Sequence, residues 1–507
     1  MQPIQPPAMR DRPALIGAIA AFLLHVPFLG RYDLFRDELY FIVCGQHPAF
    51  GYADQPPAVP LLAAALHGLG LGVWPVRVPG ALASGALAFL AARFARLLGG
   101  GSGAAALAAL ACVVAPMFVG AAITLNTSTF EPLCWTLIAF LLVRHLRTQG
   151  SGRDLLLAGL VAGVTMEIKY ALPFWLAGLA VGLVLTPERR IFAARPLYAG
   201  ALLAALIALP SVIWQLVHGL PFVELGKAAA TKNADTPLLP FLGQQVLALN
   251  PALMPLWLAG LIAPFASHRL RDLRFVPIAC AVVFAIARIG HGKDYYLAPL
   301  YPTLFAIGAA WLLTPGAQLA RKVVAGTLAA GAMIVSVVVA PLVLPILPPD
   351  RLIAYMDRLG FAPQQQERGF AGTRLPQHFA DQLGWRDFAR QVEAAWARIP
   401  PGERAATAIK TDNYGEAAAL DLYGRGLPPA LSGHNQYGLW GLRGQNPRHV
   451  MVITDDAPGL APWCRQTVVL GAFSPFAMAY ENGKTIALCR DVTPSLAKLW
   501  PRIRRMN

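Results

Sequence analysis

Charged side chains are scarce in this sequence, because Asp, Glu, Lys and Arg make up only 14% of its 507 residues. Soluble proteins carry roughly 25% of such residues, whereas 56% of the positions here are hydrophobic. This composition excludes a single soluble core and indicates an integral membrane protein. The length is sufficient for more than one domain.

Several signals of other protein classes are also missing. No basic tract with interleaved aromatic residues occurs, so a nucleic acid is not an expected partner despite a formal net charge of +15. The glycine patterns of P-loop and Rossmann nucleotide sites are absent, as are the CxxC and HExxH spacings of dedicated zinc sites. No small-residue cleavage site follows the first apolar run, so we expect that run to remain as an anchor.

Long apolar runs recur and approach the roughly 17–25 residues that a membrane-spanning helix needs. They lie near 13–30, 80–98, 103–122, 130–146, 197–217, 242–266, 275–290, 297–314 and 323–346. The stretch 155–186 would measure ~48 Å as one helix, which is too long, so we expect it to turn back near Glu167, Lys169 and Pro173 and to cross twice. The expected fold is a polytopic α-helical membrane protein with about 11 transmembrane helices.

Clusters of basic residues predict the orientation. Arg10 and Arg12 precede the first apolar run, and Arg144, Arg147 and Arg153 are among the arginines that recur in later loops. Such loops, and with them the N-terminus, are expected on the cytoplasmic side next to anionic membrane lipids. An odd number of crossings then places the first loop, 31–79, and the tail beyond residue 347 on the outer side.

The tail changes character, because charge rises and the apolar runs shorten. TAIKTDNYG, PALSG, HVMVITDD, QTVVLG and KTIALCRD predict strands, while WRDFARQVEAAWARIP and EAAALDLYG predict helices. The pattern indicates a soluble α/β domain over 347–507, after the stiff boundary PILPPD at 345–350. Cys464 and Cys489 lie in this domain, where a disulfide and two free thiols are both compatible with the sequence.

Three acids are grouped in RDELYFIVCGQHPAFGYADQPP, residues 36–57. Asp37 and Glu38 begin a predicted helix, where the helix dipole favours carboxylates, and Asp54 stands where it could cap the next helix. The functional alternative is that an ionised carboxylate at the bilayer edge, partly sheltered from water, serves as a general base.

Two lysines are expected on the same outer side. Lys169 lies at the predicted turn of 155–186, and Lys293 lies in GHGKDYYLAPLYP beside Tyr295 and Tyr296. Snorkelling lysines and an interfacial aromatic belt would explain these residues. The alternative is that the ammonium groups bind a lipid phosphate.

Other polar residues also have two interpretations. Ser128 and Glu131 have the spacing of a capping box, but Glu131 could instead add a carboxylate to the same cavity. His434 and Asn435 lie in a turn-like polar segment that suits either an Asx turn or the wall of a sugar site.

These stretches together resemble the GT-C glycosyltransferases of the superfamily that contains protein O-mannosyltransferases and lipid A aminoarabinose transferases. RDELYFI is similar to the acidic motif of the first loop, YADQPPAVPLLA to the acid and proline-rich helix start that follow, and HGKDYYLAPLYP to the late basic and tyrosine motif. The resemblance covers roughly 13–315. It implies a transmembrane catalytic domain over 1–346 in a bacterial inner membrane and places 347–507 in the periplasm.

The resemblance implies transfer of a sugar from a polyprenyl-phosphate donor to an envelope lipid, glycan or protein, by an inverting mechanism. Asp37 would be the catalytic base, supported by Glu38. Lys293 and Lys169, with their neighbours Tyr295 and Tyr296, would hold the lipid phosphate.

Asp54 occupies the place of a family acid that helps to bind the acceptor or a divalent ion, Mg²⁺ or Mn²⁺. Glu131, Gln55, His434 and Asn435 are further candidates for these roles. Gln55 departs from the family pattern, which has lysine there, so a contact that depends on that charge is not expected here. Two other functions are compatible with many helices: a transporter and a non-catalytic scaffold for envelope assembly.

A cysteine at position 37 should be accessible from outside the cell, because the first loop is expected on the outer side. In intact spheroplasts an impermeant thiol reagent should label Asp37→Cys and spare a cysteine introduced beside Arg144, in chains whose other cysteines are replaced. Labelling beside Arg144 alone would show that the orientation is inverted.

Overall fold

The computed structural model describes residues 11–148, 152–232, 237–362, 374–473 and 481–506. Its first part is helical. The helices up to residue 343 are α1 (Arg12–His25), α2 (Arg36–Gln46), α3 (Ala58–His67), α4 (Trp74–Leu97), α5 (Ser102–Val114), α6 (Pro116–Ala121), α7 (Glu131–Thr148), α8 (Arg153–Met166), α9 (Leu172–Val184), α10 (Arg195–Val217), α11 (Pro221–Lys232), α12 (Leu238–Ala248), α13 (Met254–Ala266), α14 (Phe275–Ile289), α15 (Tyr301–Leu312) and α16 (Leu319–Val343).

Four described helices are long and apolar enough to cross a membrane. They are α4, α7 with the preceding turn from Thr127, α10 and α16. A fifth crossing is formed if α12 and α13 count as one span, although they meet at an angle of 96°. The count of about 11 crossings therefore stays a prediction.

The stretch 155–186 is broken where its length predicted a turn. Helix α8 ends at Met166 and α9 begins at Leu172. Hydrogen bonds from the backbone N–H groups of Glu167, Ile168 and Lys169 to the last turn of α8 close the first helix. Lys169 therefore lies in the connection between α8 and α9 and not within a helix.

Small residues allow close packing between helices of the bundle. Gly260 of α13 and Gly308 of α15 face each other, and a Cβ atom added at Gly308 would lie 2.1 Å from the carbonyl oxygen of Leu256. Only the absence of a side chain permits this backbone approach, as is common between helices in membranes.

The bend between α12 and α13 is stabilised by one buried side chain. Asn250 has a positive φ of 74°, and its amide nitrogen donates hydrogen bonds to the carbonyl oxygen of Ala332 and to Ser336 at 2.9 and 3.0 Å. Its side-chain oxygen accepts from the N–H group of Ala252 at 3.2 Å. Polar groups released by the bend are thereby paired inside the protein.

Helix α2 begins with a capping box that involves its own acid. The carboxylate of Glu38 accepts a hydrogen bond from the backbone N–H group of Phe35 at 2.8 Å. The same fully buried carboxylate forms an ion pair with the fully buried guanidinium of Arg77 in α4, 2.9 Å away. Arg77 also donates to the carbonyl oxygens of Leu29 and Asp33, at 3.3 and 2.6 Å.

The tail forms the predicted mixed α/β domain. Its strands are β1 (Thr407–Thr411), β2 (Leu431–Ser432), β3 (His449–Thr454), β4 (Cys464–Ala472) and β5 (Thr485–Val492), in the spatial order β2-β1-β3-β5-β4. Its helices are α17 (Pro349–Leu359), α18 (Gln377–Ala380), α19 (Trp385–Ala397), α20 (Pro401–Arg404), α21 (Tyr414–Tyr423), α22 (Asn435–Trp440) and α23 (Leu496–Ile503). Each of the five predicted strands and both predicted helices is present.

A disulfide joins Cys464 and Cys489 on the neighbouring strands β4 and β5, with 5.2 Å between their Cα atoms. Strand β4 forms the edge opposite to β2, the strand that leads into the polar segment at His434. The disulfide therefore lies away from the acids of the first loop and has a structural role.

The C-terminal domain is docked on the first loop. One buried apolar cluster contains Leu39 and Tyr40 of α2 together with Trp385, Phe388 and Tyr437 of the tail. Burial of side chains from both parts in a single cluster stabilises their contact by the hydrophobic effect. The loop acids consequently face the domain.

Replacing Arg77 by alanine should be strongly destabilising, because the Glu38 carboxylate would stay buried without its partner, which typically costs ~3–5 kcal/mol. We expect Arg77→Ala to lower the midpoint of heat-induced unfolding in detergent. The matched control is Arg374→Ala, which breaks an exposed pair with Asp357 and should leave the midpoint almost unchanged. Equal midpoints for the two variants would contradict the structural role of the buried pair.

Candidate active site

Asp37 lies in the first turn of α2, at the contact between the first loop and the C-terminal domain. Its Oδ1 atom accepts a hydrogen bond of 2.8 Å from the hydroxyl of Tyr414 in α21, and the Nε atom of Arg36 lies 3.7 Å away. The side chain remains 31% exposed. This carboxylate is held in one orientation but is still accessible to another molecule.

Glu38 does not share this accessibility. Its Oε1 atom accepts from the N–H group of Leu125 at 2.8 Å, and its other contacts are with Phe35 and Arg77. With no exposed surface, it cannot contact a substrate. The predicted catalytic role is corrected to a structural one, in which Glu38 positions the helix that carries Asp37.

Asp54 lies in the same interface. Its Oδ1 atom accepts from the hydroxyl of Tyr40 at 2.7 Å, and its Oδ2 atom accepts from the side-chain amide of Asn435 at 3.0 Å. It does not cap α3, since Pro57 occupies the N-cap position without a side-chain bond. That alternative is therefore wrong.

Burial raises the pKa of Asp54 to about 6. The hydrogen bonds from Tyr40 and Asn435 oppose this shift, because they favour the charged carboxylate, while the nearby charge of Asp37 adds to it. Asp37 and Asp54 thus influence each other electrostatically and belong to one site.

The segment at the start of α22 supplies polar groups from the C-terminal domain. The His434 ring lies against Tyr414, with 4.8 Å between ring centroids, and Asn435 contacts Asp54 with a positive φ of 50°. Gln436 accepts a hydrogen bond from the N–H group of Ala53 at 2.9 Å. The predicted residues His434 and Asn435 are brought to the first-loop acids.

Gln55 follows Asp54 and is buried, with 3% of its surface exposed. Its backbone oxygen closes a turn by accepting from the N–H group of Tyr52 at 2.9 Å. Its side-chain nitrogen has no hydrogen-bond partner among the described residues. A neutral donor therefore occupies the position where the resemblance implies a lysine.

Lys169 and Glu131 form an ion pair of 2.5 Å. The ammonium group also donates to Ser128 Oγ at 2.8 Å. The predicted capping box of Ser128 and Glu131 is wrong, because the cap consists of Asn126 and Thr129 instead. Glu131 and Lys169 are therefore paired with each other in a buried, charged contact.

The loop before α15 brings the second lysine to this region. The rings of Tyr295 and Tyr296 are 5.0 Å apart. Lys293 lies over the Tyr295 ring at 5.8 Å, and Lys169 over the Tyr296 ring at 5.5 Å. The adjacent tyrosines therefore connect both lysines through cation–π contacts.

Tyr295 also lies close to the acids. Burial raises its pKa well above the usual value, and the charges of Asp37 and Glu131 contribute to this rise. The phenol therefore lies within electrostatic reach of both carboxylates. The structure brings the predicted cations and the predicted base close to one tyrosine pair.

The arrangement does not form a multidentate metal site. Within the described ranges, no group of three or more His, Cys, Asp or Glu side chains could hold a metal ion. Asp37 and Asp54 instead accept hydrogen bonds from Tyr414 and Tyr40. Because Mg²⁺ can be held by one or two carboxylates together with waters, the predicted Mg²⁺ or Mn²⁺ ion stays a prediction.

Sequence reasoning missed Tyr414, Tyr40 and Arg36 as members of the site. Tyr414 lies in the polar turn NYGE of the tail, 377 residues from Asp37. The polar, turn-like segment from Asn413 to Glu416 is of the sort that lines sugar sites, but nothing in it identifies Asp37 as the partner of Tyr414. Arg36 and Tyr40 flank the acids in RDELY and are on the same short helix.

Part of the chain is similar to a known protein family. Residues 54–214 match the family model described as dolichyl-phosphate-mannose-protein mannosyltransferase. No curated protein matches the chain by sequence. The family model covers Asp54 of the first loop and the helix break with Lys169.

Two solved structures of ArnT from Cupriavidus metallidurans share the fold, each at 15% identity and a TM-score of 0.60. One is bound to undecaprenyl phosphate, and its alignment covers 95% of this chain and 97% of ArnT. The other is in the apo state, with 93% and 96% covered. The family model and the shared fold confirm the resemblance to the GT-C superfamily of these transferases.

The stability of the folded chain should depend on pH through Asp54. Its pKa is raised by burial from 3.8 to about 6, so the folded state binds this proton more tightly than the unfolded state. The stabilisation is complete below the unfolded pKa and is lost as the pH rises through about 6. Asp54→Asn stays neutral, so its stability relative to wild type should increase by on the order of 2 kcal/mol between about pH 4 and pH 8.

Heat-induced unfolding of both proteins in detergent, measured across this pH range, tests the expectation. A constant offset between the two would reflect altered hydrogen bonds only. A difference that does not grow with pH would contradict the raised pKa of Asp54.

Proposed function

We propose that this chain, which has the fold of the GT-C glycosyltransferases, moves a sugar from a polyprenyl-phosphate donor to an acceptor of the cell envelope. The observation that carries the proposal is the meeting of Asp37, Lys169 and Lys293 around Tyr295 and Tyr296. A base for the acceptor and cations for the donor phosphate are thereby grouped in one place. The ArnT structure bound to undecaprenyl phosphate supports a polyprenyl carrier.

In the proposed step, the oxygen of an acceptor hydroxyl attacks the anomeric carbon of the donor sugar. The bond from that carbon to the phosphate oxygen breaks, and the electron pair leaves with the phosphate, which remains on its polyprenyl chain. The hydroxyl proton passes to Asp37. Attack on the face opposite to the leaving phosphate inverts the anomeric centre.

Asp37 is suited to the role of base by its environment. One oxygen is held by Tyr414, Arg36 lies beside it, and the side chain is partly exposed. A base must come within hydrogen-bond distance of the proton that it removes. Of the two adjacent acids, only Asp37 has exposed surface for this contact, because Glu38 is fully buried.

The lysines act on the leaving group. The phosphate gains one negative charge as the bond to the sugar breaks, and an ammonium group in a partly dry site stabilises that charge. Lys169 is held by Glu131 and Ser128, so its position is fixed before the donor binds. Lys293 lies on the neighbouring loop and contacts the phosphate from the other side of the tyrosine pair.

The acceptor would approach from the side of Asp54, Gln55, His434 and Asn435. These residues offer hydrogen-bonding groups beside Asp37, and the interface with the C-terminal domain is lined by them. We assign this enzyme to the bacterial inner membrane, with the first loop and the C-terminal domain in the periplasm, where envelope acceptors are located.

Asp37→Asn should abolish transfer while preserving the fold, because the amide cannot accept the proton. Loss of a general base typically lowers a rate by ~10²–10⁴-fold. The matched control is Asp33→Asn, which alters an acid of the same loop that binds Tyr423 and Arg386 from the C-terminal domain.

The test applies whichever sugar is transferred. Envelope lipids, glycans and proteins of cells with and without the gene are compared by mass spectrometry to find the added sugar mass. Wild type and Asp33→Asn should restore that mass, and Asp37→Asn at equal expression should not. Full restoration by Asp37→Asn would refute the base assignment, and the absence of any mass difference would refute the transferase itself.

A further inference from the structure

Helix α21 of the C-terminal domain carries a tyrosine at each end, and both contact acids of the first loop. The hydroxyl of Tyr414 donates to Asp37 Oδ1 at 2.8 Å, and the hydroxyl of Tyr423 donates to Asp33 Oδ1 at 2.9 Å. These two bonds connect one helix to acids four positions apart in the loop. They are equivalent in chemistry, but only one involves the proposed base.

We propose that Tyr414 is a positioning residue, through which the C-terminal domain orients Asp37 toward the acceptor hydroxyl. The proposal rests on the proposed function, in which Asp37 is the base. It gives the C-terminal domain a role in positioning the proposed base.

The hydrogen bond directs the two oxygens of Asp37 to different tasks. Tyr414 occupies Oδ1, whereas no hydrogen bond reaches Oδ2 from the part of the chain that the structure describes. The side chain is 31% exposed, so Oδ2 is the oxygen that an acceptor hydroxyl would meet. Because Oδ1 is fixed, Oδ2 is also held in one orientation. This positioning lowers the entropic cost of reaching a reactive geometry.

Tyr414 is itself held rigidly. Its ring lies 4.6 Å from the ring of Tyr40 and 4.8 Å from that of His434, and the Arg36 guanidinium lies over it at 5.5 Å. The phenol is therefore enclosed by groups from both parts of the chain and cannot turn away from Asp37 without disturbing them.

The start of α21 is fixed by a second set of contacts. Asn413 caps the helix, and Glu416 completes the capping box. Lys484 of the neighbouring strand region binds Glu416 at 2.7 Å and Asp412 at 3.1 Å. These contacts fix Asp412 and Glu416, which lie on either side of Tyr414. The position of the Tyr414 hydroxyl is therefore set by the C-terminal domain.

The charges around Asp37 explain why a donor is needed. Arg36 lies 3.7 Å from Asp37 but at the same distance from Asp381, so its charge is shared between two carboxylates. Asp54 faces Asp37 closely enough for their charges to interact, and Tyr295 lies close enough for the charge of Asp37 to raise its pKa. An ionised Asp54 disfavours a second negative charge, and the hydroxyl of Tyr414 counteracts this effect.

Tyr414→Phe should therefore raise the pH at which Asp37 takes up its proton, because the carboxylate loses a donor. Tyr423→Phe is the matched control, since it removes the same kind of bond from the other end of α21 and spares Asp37. A role in domain docking alone would give both variants the same effect.

Infrared titration of the purified full chain measures this protonation without a substrate. The spectrum of each protein minus that of the same protein with Asp37→Asn isolates the carboxyl signal of Asp37. We expect the midpoint to rise in Tyr414→Phe and to stay at the wild-type value in Tyr423→Phe. Equal midpoints in all three proteins, or equal shifts in both variants, would overturn the proposal.

A second variant covers the case in which Tyr414→Phe does not fold. Incorporation of 3-fluorotyrosine at position 414 retains the ring and the hydroxyl but makes the hydroxyl a stronger donor. The midpoint of Asp37 should then move below the wild-type value, and an unchanged midpoint would overturn the proposal.

Transfer activity separates this proposal from the proposed function. Once the donor is identified, the acid limb of the pH profile of transfer should move to higher pH in Tyr414→Phe by the same amount as the infrared midpoint. If the variants show the expected infrared shifts but the wild-type chain transfers no sugar, the proposed function is refuted and the contact between Tyr414 and Asp37 stands. Transfer with an unmoved acid limb would refute the role of Tyr414 alone.

Discussion

Arg77 reaches from the first turn of α4 to Glu38 and to the carbonyl oxygens of Leu29 and Asp33. One guanidinium thus joins the end of the first anchor helix, the loop that follows it and the start of α2. All of these groups are removed from water, where an unpaired charge is costly. The orientation of α2, and with it the position of Asp37, depends on this pair.

Each part of the chain contributes a different kind of group to the site. The first loop supplies acids, the helix break and the loop before α15 supply the lysines, and the C-terminal domain supplies hydroxyl and amide donors. No part holds the set alone, which explains why the polar residues appear scattered in an apolar sequence. Contacts such as those of Gln436 with Tyr40 and of Asn435 with Asp54 join these contributions across the domain boundary.

Local features could be predicted from the sequence, whereas partners distant in the chain could not. The strands of the tail and the break after α8 follow from hydrophobic periodicity and helix length, which are properties of short windows. The pairing of Tyr414 with Asp37 spans 377 residues, and nothing in either window specifies it. Glu131 fitted a capping pattern, but the tertiary contact with Lys169 prevailed because a buried charge requires a partner.

The bend at Asn250 has a consequence for the helix that is most exposed to lipid. Only 11% of the apolar window of α16 is buried inside the protein. Most of its surface is therefore open to contact with lipid chains. The amide of Asn250 binds its backbone at Ala332, and lipid cannot replace such a bond. Together with the hydrogen bonds of Ser336 to Val114 and of His378 to Leu342, this contact fixes the depth and rotation of α16, which apolar surfaces alone would leave variable.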